Sequence, residues 1–254
     1  MVLAPVQVPR AAPWQWPLAL CAGLAQAASL ALPGSGQPAW WLQLASMAVL
    51  AWLLQCPMGW RRAAGLGWLF ATAWLAGTFW WLYISMHTYG GLAAPLAAAA
   101  VLALAAFLGS YYAVVSGLYK ALAPKGRALG ALFFGVVWLL AELARGQWWT
   151  GFPWGAGGYA HVEGPLAALA RTVGVYGIGC AAAVLAMLLV QGRRSDLRNP
   201  RAWALALALL ALGGAAAVQR HCAVDYAIRL RHLLHPHCRW CCCRATSRRT
   251  RNSS

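Results

Sequence analysis

Long apolar runs, broken by short polar stretches, leave this chain little choice of solvent. Seven runs can be read along its 254 residues, at about 14–32, 38–54, 65–86, 92–119, 128–145, 165–190 and 201–219. The longest exceed the ~18 residues at which an apolar stretch reads as a bilayer-spanning helix. Lipid offers the backbone no hydrogen bonds, and a helix satisfies its own N–H and C=O groups within one segment. The expected fold is therefore all-α, a polytopic transmembrane bundle of about seven helices within residues 1–219. Apolar periodicity stops there, and residues 220–254 read as a separate basic, Cys- and Arg-rich tail. The first basic residue is Arg10 and the run after it is long, so the first run reads as a retained helix, not a cleaved signal. Only 9% of residues are charged, against about 25% in ordinary soluble domains.

The charges that remain carry the topology. Arg10 precedes the first run, Arg61 and Arg62 separate the second and third, and Lys120, Lys125 and Arg127 separate the fourth and fifth. Arg193, Arg194, Arg198 and Arg201 separate the sixth and seventh, whereas 33–37, 87–91 and 146–164 contain no Arg or Lys. Basic breaks favour the cytoplasm. The N-terminus is thus expected inside and the three loops without Arg or Lys outside. Trp14, Trp16, Trp40, Trp41, Trp60, Trp80, Trp81, Trp148, Trp149 and Trp154 sit near run ends, where indole rings anchor at the interface. A net charge of +16 could suit nucleic acid. Its dispersal among short breaks, with no basic face, argues for no nucleic-acid partner.

The tail holds eight Arg and five of the eight Cys, and topology places it outside. Three readings stay open. His235, His237, Cys238 and Cys241 to Cys243 could offer soft ligands to zinc, although three adjacent Cys converge poorly on one tetrahedron. The tail could instead lie on the membrane surface as a basic disordered segment. The reading preferred here is an aberrant end of the reading frame, because a Cys cluster is a liability in an oxidising compartment. No metal or cofactor site is assigned. Cys21, Cys56 and Cys180 read as small packing residues.

Two outer segments carry the sharpest patterns. Residues 77–91 end the third run with Trp80, Trp81, Tyr83, His87 and Tyr89. Residues 138–160 end the fifth with Glu142, Arg145, Phe152, Pro153 and Trp154. Glu142 is the only acidic residue within a run, and Arg145, three residues on, shares its helix face. The pair reads either as an intrahelical ion pair near the interface or as the support of a polar pocket under the following loop. Pro153 holds Phe152 extended, and the glycines around it allow close backbone approach. Few other polar side chains are expected inside the bundle. His87 and His161 both fall in outer loops, with no Cys or Asp beside them to complete a metal site. No nucleophile motif or catalytic triad is recognisable, so no catalytic residue is assigned.

Four segments in this order resemble the membrane domain of bacterial apolipoprotein N-acyltransferases: Trp80-Trp81-Leu82-Tyr83, Tyr89-Gly90-Gly91, Glu142-Leu143-Ala144-Arg145-Gly146, and Thr150-Gly151-Phe152-Pro153-Trp154. Gly158-Tyr159 and Gly174-Val175-Tyr176-Gly177 fit the same pattern, and the resemblance covers about residues 14–219. It implies phospholipid as acyl donor and a diacylated lipoprotein as acceptor, with transfer through a thioester. The family places its Glu, Lys and Cys in a periplasmic nitrilase-like domain, and no residue here matches them. The chain thus reads as a member cut short and is expected to transfer no acyl chain alone. Trp81, Tyr83, Tyr89, Glu142, Arg145, Phe152, Pro153 and Trp154 are the candidate outer-rim, lipid-site residues.

Two other functions compete. A small transporter component would want a polar path and broken, repeated helices at the midplane. A non-catalytic scaffold would want neither. The order of the outer-loop motifs favours the acyltransferase reading. The topology is testable by single-cysteine labelling: a membrane-impermeant thiol reagent added from outside should reach a cysteine near His161 and miss one near Lys125. The reverse pattern would refute the orientation.

Overall fold

The computed structural model describes residues 12–192; the seventh run and the tail lie outside them. Helices form where the apolar runs lie: α1 (Gln15–Leu30), α2 (Trp40–Gln55), α3 (Trp60–Thr78), α4 (Trp80–Ile84), α5 (Ala94–Leu122), α6 (Arg127–Gln147) and α7 (Ala170–Gln191). A π-helical turn, Ser85–Tyr89, follows α4, and 3-10 turns occupy Trp148–Thr150, Gly157–His161 and Pro165–Leu169. The described residues hold no strand. The fold is all-α, as the periodicity requires.

Helix α5, helix α6 and the segment Pro165–Gln191 are each long and apolar enough to cross a membrane. Helix α3 with α4 and its π turn makes a fourth candidate, bent by 53°. The bend falls where Phe79 leaves helical geometry at φ −93°, ψ 14°, a break that unbroken hydrophobicity through 65–86 conceals. Helices α1 and α2 have 16 residues each, about 24 Å at the helical rise, less than a ~30 Å hydrocarbon core. The second break is shorter than the charges suggest. Arg61 and Arg62 lie in the first turn of α3, and only Cys56 to Gly59 connect the helices. The sixth run also divides, because Gly174 takes φ +66°, a conformation that a side chain resists.

Neighbouring helices run in alternating directions. Ser46 of α2 donates to the Ala22 carbonyl of α1 (2.7 Å) and the Ala39 amide to the Ser29 carbonyl (2.8 Å), an antiparallel register. Close approach depends on small residues, as is usual between membrane helices. A Cβ at Gly67 of α3 would strike the Ser116 hydroxyl of α5, and one at Gly135 of α6 would strike Val184 of α7. The aromatic core lies between these seams. Trp74 stacks on Trp138 at 6.1 Å and 14°, with Tyr112 4.9 Å from the Trp138 ring and Phe70 and Phe134 at its edges. The alternation gathers the loops into two groups. Residues 31–39, 85–93 and 148–164 share one end, and residues 56–59 and 123–126 share the other.

Gly67→Val tests the α3–α5 seam. Forcing branched carbons against Ser116 should cost about 1–3 kcal/mol. The readout is thermal unfolding in detergent. Gly59→Ala, which meets nothing within 4 Å, should leave the transition unmoved.

Candidate functional site at the loop end

The site is built on the last two turns of α6. Glu142 and Arg145 fall on the buried face of that helix, and neither side chain has more than 1% exposure. Their closest approach is 3.5 Å, from Arg145 Nη2 to Glu142 Oε2. That is long for a charge-assisted bond, and the guanidinium makes shorter ones elsewhere. Arg145 Nη1 donates to the Phe152 carbonyl at 2.8 Å and the Trp154 carbonyl at 2.7 Å, and Nε donates to the Tyr112 hydroxyl at 3.2 Å. The Phe152 amide returns a bond to the Arg145 carbonyl at 2.8 Å. The guanidinium also lies 6.0 Å from the Trp74 ring centroid, within cation–π reach. The planar fork of Arg suits this work, since one side chain holds two carbonyls, a hydroxyl and a carboxylate.

The pair is an intrahelical ion pair, and its arginine also ties down the loop above. The loop needs that support because its backbone is unusual. Trp149 sits at φ 55°, ψ 48° and Gly151 at φ +71°, and a left-handed Trp costs about 1–2 kcal/mol.

Held this way, the loop meets the end of α3 and the start of α4. Phe152 packs edge-on against Phe79 at 4.9 Å, and Trp154 packs against Trp81 at 6.0 Å. Segments 80–91 and 145–160 thus join at one end of the bundle. Pro153 and Trp154 are exposed and Phe152 is half-buried. The structure does not bring Tyr83 or Tyr89 to this contact. Tyr83 pairs with His87 at 5.4 Å, and Tyr89 stands 84% exposed. The 29-residue α5 outlasts the 21-residue α6. Trp149 meets Phe107 at 6.4 Å, so about 20 Å of α5 projects past that level. The α4–α5 hairpin forms an aromatic arm, and Trp81–Trp154 ties it to the loop.

Beneath the loop lies a polar cluster that the expectation of few buried polar groups misses. Glu142 Oε1 accepts from the Tyr112 hydroxyl at 3.3 Å and the Gly157 amide at 3.5 Å. Gln43 of α2 has its Oε1 3.1 Å from His161 Nε2, and Gln26 of α1 is fully buried beside them. A Cβ at Gly157 would come 3.1 Å from Gln26 Nε2 and 3.3 Å from Gln43 Nε2, so a side chain there would have to push these amides back by a few tenths of an ångström. Burial holds the His161 imidazole neutral, its pKa lowered from 6.5 to about 4. His161 and His87 have separate partners, since His87 Nδ1 bonds the Leu92 carbonyl at 2.8 Å. Tyr112, Gln26 and Gln43 were legible as isolated polar residues within apolar runs. Their convergence on Gly157 was not.

The arrangement sets an aromatic rim over buried polar supports. No group of three or more His, Cys, Asp or Glu that could hold a metal ion occurs among the described residues. The pair is testable by a double-mutant cycle. Arg145→Met strands a buried carboxylate and two carbonyls and should cost about 3–5 kcal/mol. Glu142→Gln keeps an acceptor for Tyr112 and should cost about 1–3 kcal/mol. The double variant should be more stable than the sum predicts, as groups in contact are non-additive. Additive losses in detergent melts would show that the pair is not coupled.

Comparison with known sequences places this geometry in context. Residues 22–188 match the model of the family described as apolipoprotein N-acyltransferase N-terminal domain. The chain is 67% identical over 216 residues to the apolipoprotein N-acyltransferase of Verminephrobacter eiseniae, covering 84% of this chain and 40% of that protein. It is 49% identical over 154 residues to the Ralstonia nicotianae protein of that name, covering 59% and 29%. With the Pseudomonas putida protein of that name it shares 39% identity over 199 residues, covering 78% and 38%. The chain thus spans 40% or less of the length of these relatives.

Proposed function

The chain belongs to the apolipoprotein N-acyltransferase family, within its N-terminal membrane domain, and we propose that it is the membrane platform of lipoprotein N-acylation. It is a multi-pass bacterial membrane protein. In the proposed reading it lies in the inner membrane with its N-terminus in the cytoplasm, residues 1–219 forming the membrane domain. The reaction moves an acyl chain from a phospholipid to the N-terminal cysteine amine of a diacylated lipoprotein. The residues described here act on the lipids, not on the bond being made.

One observation carries this reading: a fully buried Arg145 fixes the Phe152 and Trp154 carbonyls, so that Trp154 meets Trp81 above the bundle. A rim set this way presents flat aromatic faces at the depth where acyl chains leave the bilayer, and its ordering cost is met on folding. Pre-organisation of that kind favours binding, because less freedom is lost when the ligand arrives. Trp81, Phe152 and Trp154 are assigned to lipid chains. Glu142 and Arg145 are positioning residues. Pro153 shapes the turn, and Tyr83 and Tyr89 lie along the arm that lipid would pass.

The test is a graft. Residues 12–192 replace the aligned segment of the Verminephrobacter eiseniae relative, and a diacylated lipopeptide is followed by mass. The graft should add one acyl chain. Trp154→Ala, which truncates an exposed side chain, should slow transfer about tenfold, equal to about 1.4 kcal/mol of barrier, without lowering the unfolding temperature. A folded graft that transfers nothing, or a Trp154→Ala graft at full rate, would refute the assignment.

A further inference from the structure

The break in α7 sets one more side chain against the rim loop. Gly174 turns the chain at φ +66°, and the residues after it pack closely on the far end of that loop. A Cβ at Gly158 would strike the Val175 carbonyl, and one at Gly179 would come 3.8 Å from the Gly158 amide nitrogen. This seating carries Tyr176 to the last turn of α6. Its hydroxyl oxygen lies 2.9 Å from the point that a Cβ of Gly146 would occupy, and Pro153 Cβ lies 3.9 Å from the same point. Gly146 therefore leaves room for the phenol at the foot of the loop that carries Phe152, Pro153 and Trp154.

Tyr176 is half-buried. Its hydroxyl makes no hydrogen bond to another described residue and is not among the polar atoms sealed from the surface. The charged pair nearby is turned inward, because Arg145 directs its donors to Phe152, Trp154, Tyr112 and Glu142. The full charges within electrostatic reach of Tyr176 are those of Arg145 and Glu142, opposite in sign and paired with each other. Arg171, in the first turn of α7, precedes the Gly174 break and is not one of them. The phenol is thus a neutral donor at the edge of an apolar loop. In a mostly apolar site, a few placed polar groups fix the orientation of the ligand. An acyl ester has the matching form: a neutral carbonyl that accepts, and a chain that packs on aromatic faces.

We propose that the Tyr176 hydroxyl donates a hydrogen bond to the ester carbonyl of a glycerolipid whose chain lies along Phe152 and Trp154. The ester belongs either to a phospholipid or to the diacylglyceryl group of a lipoprotein, and Tyr176 is the residue that tells an acyl ester from an alkyl ether. The assignment rests on the lipid-handling reading of the rim, and its test reads binding alone, apart from acyl transfer by the graft.

Native mass spectrometry of the purified full chain in detergent measures the lipid retained. Diacyl phosphatidylethanolamine is compared with its dialkyl ether analogue, and a diacylated lipopeptide with its own. The ester form should be retained about fivefold better than the ether in at least one pair, the weight of one neutral hydrogen bond. The pair that shows the preference names the source of the carbonyl. Tyr176→Phe keeps the ring and removes the hydroxyl, so ester retention should fall to the ether level while ether retention stays unchanged. Gly146→Ala keeps the hydroxyl but places a methyl against it, and should remove the same preference. Equal retention of ester and ether by the unsubstituted chain would overturn the contact. A headgroup phosphate site would give that result, since both analogues keep the phosphate. An ester preference that survives Tyr176→Phe, or equal loss of both forms, would also overturn it, the latter making Tyr176 a packing residue. Retention of no lipid at all would sink the reading of the rim as well. If one variant unfolds, the other decides.

Discussion

The loop end depends on one buried guanidinium. Arg145 is fully buried, between Trp74, Tyr112 and Glu142, and its charge has to be answered on several sides. Glu142 answers it electrically and Tyr112 by a hydroxyl, and the loop answers it with two carbonyls at 2.7–2.8 Å. The shortest bonds go to the loop, not to the carboxylate. A buried pair of this kind adds little net stability compared with apolar packing. What it adds is geometry, because the loop cannot drift without stranding a charge. The left-handed Trp149 and the positive φ of Gly151 are held in place by the same bonds.

Much of this was legible in residue order. The apolar runs located the helices, and the lone Glu142 with Arg145 on its face marked the place where polarity had to matter. Gly151 and Pro153 marked a turn. Three features were hidden, each for a physical reason. The bend at Phe79 interrupts a stretch that is apolar on both sides, and hydropathy does not sense backbone angles. The kink at Gly174 depends on a positive φ, which a glycine permits but does not announce. The Gln26–Gln43–His161 cluster brings a loop histidine onto two glutamines more than a hundred positions earlier, and each glutamine alone looks like an incidental polar residue in a span.

Trp81 and Trp154 show the opposite case. Both were expected at one end from charge and loop order alone, and their rings lie 6.0 Å apart. Alternating helix direction is a strong constraint: once the breaks are placed, it decides which loops can meet. Depth is less constrained. Tyr83 and Tyr89 share that end, yet the length of α5 carries them along a projecting arm, away from the Trp81–Trp154 contact. Sequence order gives the side of a bundle, and helix length and bending give the height.

The buried polar residues also bear on the transporter alternative. A polar path across the bilayer would link the Glu142–Gln43 cluster at the loop end to the basic end, where Gln55 and Gln191 donate to the Tyr119 hydroxyl at 2.8 and 3.3 Å. Between them lies the stack of Trp74, Trp138, Phe70 and Phe134, all without exposed surface. Moving water or an ion through this stack would mean parting rings packed at 5.8 and 6.1 Å between centroids, in a core with little give. The two polar clusters are therefore separate devices. One holds a loop in place over the bundle and the other lines an opening at the basic end. The aromatic layer between them keeps the helices in fixed relation, which a platform for lipid chemistry needs and a conduit does not.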